Sequence, residues 1–222
     1  MLLNAADKAL WRLALPMIFS NITVPLLGLV DTAVIGHLDS PVYLGGVAVG
    51  ATATSFLFML LLFLRMSTTG LTAQAWGAKD PQRLARALVQ PLALALGAGV
   101  LIILLRLPLI DLALHIVGGS EAVLEQARRF LEIRWLSAPA SLANLVLLGW
   151  LLGVQYARAP VILLVVGNLL NIVLDLWLVM GLRMNVQGAA LATVTAEYAT
   201  LIIGLLMAKP VSYTHLTLPT TS

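Results

Sequence analysis

Three polar side chains, Asn168, Asn171 and Asp175, interrupt an apolar run from about 161 to 182 that is long enough to cross a bilayer as a helix. At 100° per residue, spacings of three and four put all three on one helical face. A polar group in that setting costs free energy unless it meets a partner, water or an ion, and a mere anchor would need only Leu. The chemistry open to such a stripe is the handling of a proton or a small cation. A carboxyl takes up and gives up charge, and two amides reorient around it.

A second carboxylate sits at a similar depth. At 1.5 Å per residue, Asp31 lies roughly 9 Å and Asp175 roughly 12 Å from the outer ends of their spans. Two helices running in the same direction thus carry a carboxyl in the same half of the bilayer, which predicts a shared, protonatable pair. The plainer alternative is that Asp31 caps a helix break and the amides glue helices together. Glu197 lies near mid-membrane in a later apolar run, with Thr193 one turn before it and Tyr198 beside it. It either lines the same cavity or pairs with Arg65 or a helix from elsewhere, and both remain open. Thr193 alone reads more simply as a hydroxyl bonded back to its own helix. Pro16 and Pro25 each remove a backbone hydrogen bond from the first span, which suits a bendable helix.

The elements that must position these groups follow from composition. Of 222 residues, 60% are apolar and 10% charged, with a mean hydropathy of +0.99, far from the quarter charged of a soluble domain. The chain is an all-α, polytopic membrane protein. Six spans are expected, over about 10–36, 44–65, 84–105, 133–154, 161–182 and 186–207. They form one transmembrane unit over residues 1–209. The second span has room to continue through Met66–Trp76, and 121–134 reads as an amphipathic approach helix. Gly28, Gly36, Gly45, Gly46 and Gly50 read as close-packing positions. Residues 210–222 are Thr-rich, uncharged and aperiodic, and read as a non-native appendage, with a disordered native tail as the alternative.

Lys and Arg set the orientation. With a cytoplasmic N-terminus the inner side collects Lys8, Arg12, Lys79, Arg83, Arg86, Arg158 and Lys209, against Arg106, Arg128, Arg129, Arg134 and Arg183 outside. The net charge of +3 is therefore a topology signal and not a nucleic-acid surface. No cysteine is present, which excludes thiol chemistry and Cys-ligated metals. His37, His115 and His215 are scattered, so no metal site is expected. No phosphate loop and no Ser/His/Asp set is visible, so neither ATP-driven transport nor an enzyme is expected, and no cofactor.

Pro25 followed by Leu29-Val30-Asp31-Thr32-Ala33-Val34-Ile35-Gly36-His37-Leu38, the loop Gly77-Ala78-Lys79-Asp80, and Asn171 with Asp175 four residues on resemble the multidrug and toxic compound extrusion (MATE) transporters, in particular the bacterial DinF-like branch. The likeness covers about residues 5 to 209. It implies twelve helices in two six-helix lobes around a central cavity, of which this chain supplies the first. It further implies a bacterial inner-membrane antiporter that exports cationic or amphipathic compounds in exchange for protons, or for sodium. By motif, the coupling roles fall on Asp31, Asn171 and Asp175, and Thr193 lies in the helix that completes that network. Asn168 and Glu197 are supporting polar groups. Two competitors stand beside this reading. A lipid-linked precursor flippase of the same superfamily would need several cavity cations, for which Arg65 is the candidate. A lobe without its second half would be inert, or would have to pair with a copy of itself.

Overall fold

A computed structural model of the chain describes the backbone of residues 4–156 and 158–217, and the side chains in those ranges except at 13, 16–17, 19–21, 23–24 and 210–217. The described backbone is helical, in nine α-helices: α1 (Ala5–Gly36), α2 (Pro41–Leu60), α3 (Phe63–Gly77), α4 (Pro81–Leu104), α5 (Arg106–Val117), α6 (Glu121–Arg134), α7 (Ala138–Gly153), α8 (Arg158–Asp175) and α9 (Asn185–Thr217).

Local sequence explains the turns. Ser40 and Asp80 each stand before a proline at the first helical position, where the missing N–H is no loss. Ser40 Oγ accepts from Val42 N at 3.3 Å, and Asp80 Oδ1 accepts from Gln82 N and Arg83 N at 3.2 Å. Gly118, at φ 74°, ends α5, and Ser120 Oγ then accepts from Val123 N to open α6.

Among the described residues, five helical stretches are long and apolar enough to cross a bilayer: Pro41–Gly77, Pro81–Leu104, Glu121–Gly153, Arg158–Gly181 and Asn185–Lys209. Pro25–Gly36 of α1 is apolar but shorter. The second span does continue to residue 77, across a non-helical step at Leu61–Leu62. Helix α5 was not foreseen. Position 16 lies outside the described side chains, and α1 runs on as a helix through Pro25. The backbone is helical to Thr217, so 210–217 is not irregular, and 218–222 lie outside the described residues.

The expected approach helix belongs to the bundle itself. Helix α6 packs along α2 and passes through a short 3₁₀ turn, Trp135–Ser137, into α7. Its small-residue partners are Gly45, Gly46 and Gly50: an added Cβ would meet Val123 at 3.2 Å, Gln126 at 2.5 Å and Phe130 at 2.5 Å. The other two glycines of that series do not pack in this way, since nothing lies within 4 Å of a Cβ at Gly28 or Gly36.

Helix α7 is the centre of the bundle. It packs against α3, α4 and α9, and nearly every residue from Ala138 to Gly153 is buried. Trp150 Nε1 donates to the Leu84 carbonyl at 3.0 Å and fixes α7 to the start of α4; Trp135 Nε1 donates to Thr54 Oγ1 at 3.0 Å and fixes the α6–α7 joint to α2. Gly99 of α4 brings the two backbones together, because a Cβ there would sit 2.3 Å from the Cα of Pro139. Backbone cannot swing aside as a flexible side chain can, so Gly99→Ala should cost about 1–3 kcal/mol of stability through overpacking. Gly97→Ala on the same helix, with nothing within 4 Å, should be neutral. Melting of both variants in detergent, followed by size-exclusion fluorescence, checks the contrast.

Candidate functional site

Helix α8 presents Leu164, Gly167, Asn168 and Asn171 on one face, and α9 presents Ala189, Thr193, Ala196, Glu197 and Thr200, both at helical spacing. These faces meet Asp31 from α1, Thr54, Phe58 and neighbours from α2, Arg134 from α6 and Asn144 from α7 around one cavity of about 680 Å³. Helices α8 and α9 approach closely, since Gly167 leaves space for the Thr200 hydroxyl, which would lie 2.7 Å from an added Cβ.

Five of the six residues singled out from the sequence line this cavity: Asp31, Asn168, Asn171, Thr193 and Glu197. Asn171 Nδ2 donates to Thr193 Oγ1 at 3.3 Å, and Thr193 Oγ1 donates to the Ala189 carbonyl at 3.2 Å. The back-bonded hydroxyl and the network member are therefore the same group. Asp175 is not a lining residue. It is 1% exposed, one turn beyond Asn171, at the point where α8 widens into a π-helical stretch, Leu176–Gly181. Such widenings recur at functional sites. Neither carboxyl oxygen of Asp175, nor Oδ1 of Asp31 or Asn171, has a hydrogen-bond partner among the described residues.

Glu197 does face the cavity, and Arg65 is not its partner: Arg65 is exposed on α3 and does not line the space. The cavity cation is Arg134, which composition had assigned to an outer amphipathic surface. Its guanidinium carbon lies 5.5 Å from the centroid of the Phe58 ring, and it donates to Ser137 Oγ. Asn144 Nδ2 donates both to the Glu197 carbonyl at 3.0 Å and to Glu197 Oε2 at 2.9 Å. Sequence reading missed Arg134 and Asn144. The available signal for Asn144 was a lone carboxamide in the apolar run from Ala138 to Gly153. Among the described residues no cluster of three His, Cys, Asp or Glu groups could hold a metal.

The family model MatE matches residues 16–177. The chain belongs to the MatE family. It is 90% identical over 209 residues to the DNA damage-inducible protein F of Escherichia coli (strain K12), covering 94% of this chain and 46% of that protein. It is also similar to the probable multidrug resistance protein NorM of Thermotoga maritima, at 29% identity over 196 residues, covering 86% and 42%. Among solved structures, a MOP superfamily transporter from Pyrococcus furiosus superposes with a TM-score of 0.81 at 28% identity, covering 90% of this chain and 44% of that one. A MATE structure in complex with MaD5 gives 0.82 at 29%, covering 97% and 49%. The chain therefore spans about half the length of the relatives it matches, as one lobe of the two-lobed architecture would. The family is one of membrane transporters and not of enzymes.

Asn144 holds Glu197 through both its carbonyl and its carboxylate. Asn144→Leu should leave that partly buried carboxylate short of a donor and lower stability by about 1 kcal/mol, the low end for an orphaned buried polar group. Glu197→Gln keeps an acceptor facing Asn144 and should melt near wild type. Thermal unfolding in the same detergent distinguishes the two.

Proposed function

We propose that the protein is a secondary antiporter that exports cationic or amphipathic compounds across a bacterial inner membrane. A proton is the coupling ion, moving through Asp31, Asn171 and Asp175. The observation that carries this reading is an apolar-walled cavity with Asp31, Asn171 and Thr193 on its wall, inside a chain of the MatE family. A carboxyl that gains a proton in such a place loses its hold on a cation and on hydrogen-bond donors together, so proton uptake and cargo release are antagonistic. Asp175 is buried one turn from Asn171, and its change of charge would be felt by the Asn171–Thr193 pair. Asn168 and Glu197 support the polar wall.

The cavity is completed by the second lobe, which this chain implies as its partner, and the N-terminus is assigned to the cytoplasm from the Lys and Arg distribution. Flipping of a lipid-linked precursor is the weaker reading. A pyrophosphate head would be met here by Arg134 and by two carboxylates, Asp31 and Glu197, which repel it.

In the full-length protein, Asp31→Asn and Asp175→Asn should each reduce dye efflux to the level of cells lacking the transporter while leaving membrane expression intact. Undiminished efflux by both variants would sink the carboxylate mechanism. Reconstituted vesicles given either a pH gradient or a sodium gradient identify the coupling ion: uptake driven by sodium alone would replace the proton in this scheme.

A further inference from the structure

Arg134 and Glu197 both face the central cavity. They are nevertheless not held as an ion pair. The ion pairs within 4.0 Å among the described residues are Arg128–Asp111 and Arg129–Glu125, both on exposed positions. Each cavity charge instead has neutral partners of its own: the Phe58 ring and Ser137 for Arg134, and the Asn144 carboxamide for Glu197. An Arg and a Glu that serve only to stabilise a buried core close into a direct, often bidentate contact, which is how the desolvation of both is offset. These two are kept apart by separate supports from α2, the 3₁₀ turn Trp135–Ser137 and α7. Asn144 engages Glu197 through Oε2.

We propose that Glu197 is the carboxylate that receives the positive group of a cationic cargo, and that Arg134 is a built-in rival cation that keeps this attraction weak enough for the cargo to leave. The assignment rests on the export reading above. Arg134 offsets Glu197, so apart from any pull of Asp31 this part of the wall attracts a monocation mainly at short range, where the cargo displaces the influence of Arg134 on Glu197. A cavity with Glu197 alone would bind the same cargo more tightly and release it more slowly, since binding that is not relieved at the far side slows turnover. The roles are those of specificity and release, and neither residue carries the coupling proton.

The test uses the full-length protein in detergent with ethidium, a monocation, and dihydroethidium, its uncharged counterpart. Arg134→Gln should tighten ethidium binding by about tenfold, the order of magnitude of one unit-charge interaction at an effective dielectric of about 20. Its efflux rate at saturating ethidium should fall. Glu197→Gln should weaken ethidium binding by about the same factor, and Arg134→Lys should bind as wild type. Dihydroethidium binding should be unchanged in all three variants. Parallel shifts for both dyes would mean that the pair merely shapes the bundle and would overturn the proposal, as would ethidium binding unmoved by either neutralisation. In that last case export stands and only this assignment falls, whereas a wild type that binds neither dye removes both.

Discussion

Helix α7 has almost no face left for lipid, and a helix buried on all sides can be housed only if its neighbours come to it at backbone distance. Small residues at the contacts make that possible in this chain. Gly99 of α4 meets Pro139, Gly149 meets the carbonyl of Arg65, and Gly153 meets Thr72, each at a separation no larger residue would tolerate. In a bilayer there is no hydrophobic penalty for pulling apolar helices apart, so close van der Waals packing has to supply the cohesion. Around α7 it does: α3, α4 and α9 form its sleeve, and the two tryptophans at its ends pin it in register through hydrogen bonds to α4 and α2.

That packing decides where polar groups can stand. A side chain turned toward the sleeve of α7 must be small or apolar, and the ones that are polar have to find partners inside the bundle. The face of α7 that carries Asn144 looks instead toward the gap between α8, α9 and the α1–α2 side. There a carboxamide can reach across to Glu197 and hold both its backbone carbonyl and its carboxylate. The cavity is thus the region that the tight core leaves open, and its polar lining is drawn from helix faces the core does not consume. Asn171 and Thr193 meet in the same gap for the same reason: α8 and α9 are brought close by Gly167, and their polar residues at helical spacing then face one another.

Much of this could be read from residue types alone, and the exceptions have physical causes. The stripe on α8 was legible because three polar groups at spacings of three and four stand out against an apolar helix. Glu197 and Thr193 stood out for the same reason. Arg134 did not, because it ends a segment rich in Glu and Arg, where charge reads as a solvated surface. Only the packing of α6 along α2, permitted by Gly45, Gly46 and Gly50, shows that this amphipathic segment is inside. Asp175 illustrates the opposite limit. Depth along the helix predicted that it would share a site with Asp31. It stands four residues after Asn171 in the same regular helix, but surrounding packing covers it to 1% exposure, and that cover is something no residue spacing announces.

The remaining asymmetry concerns α1. Leu10, Trp11, Leu15, Ile18, Ile22, Leu26 and Leu29 are exposed, while Val34 and Ile35 near the end of the same helix are buried to 4% and 1%. Among the described side chains of α1 the buried ones lie near its end, and segments of low local burial are where conformational change is cheapest. Asp31 stands at the boundary between the two regimes, on the cavity wall, with one carboxyl oxygen buried and without a hydrogen-bond partner among the described residues. Pro25 lies less than two turns before it, where a backbone hydrogen bond is already missing. A change of charge at Asp31 would therefore act within two turns of the backbone gap that Pro25 leaves in α1.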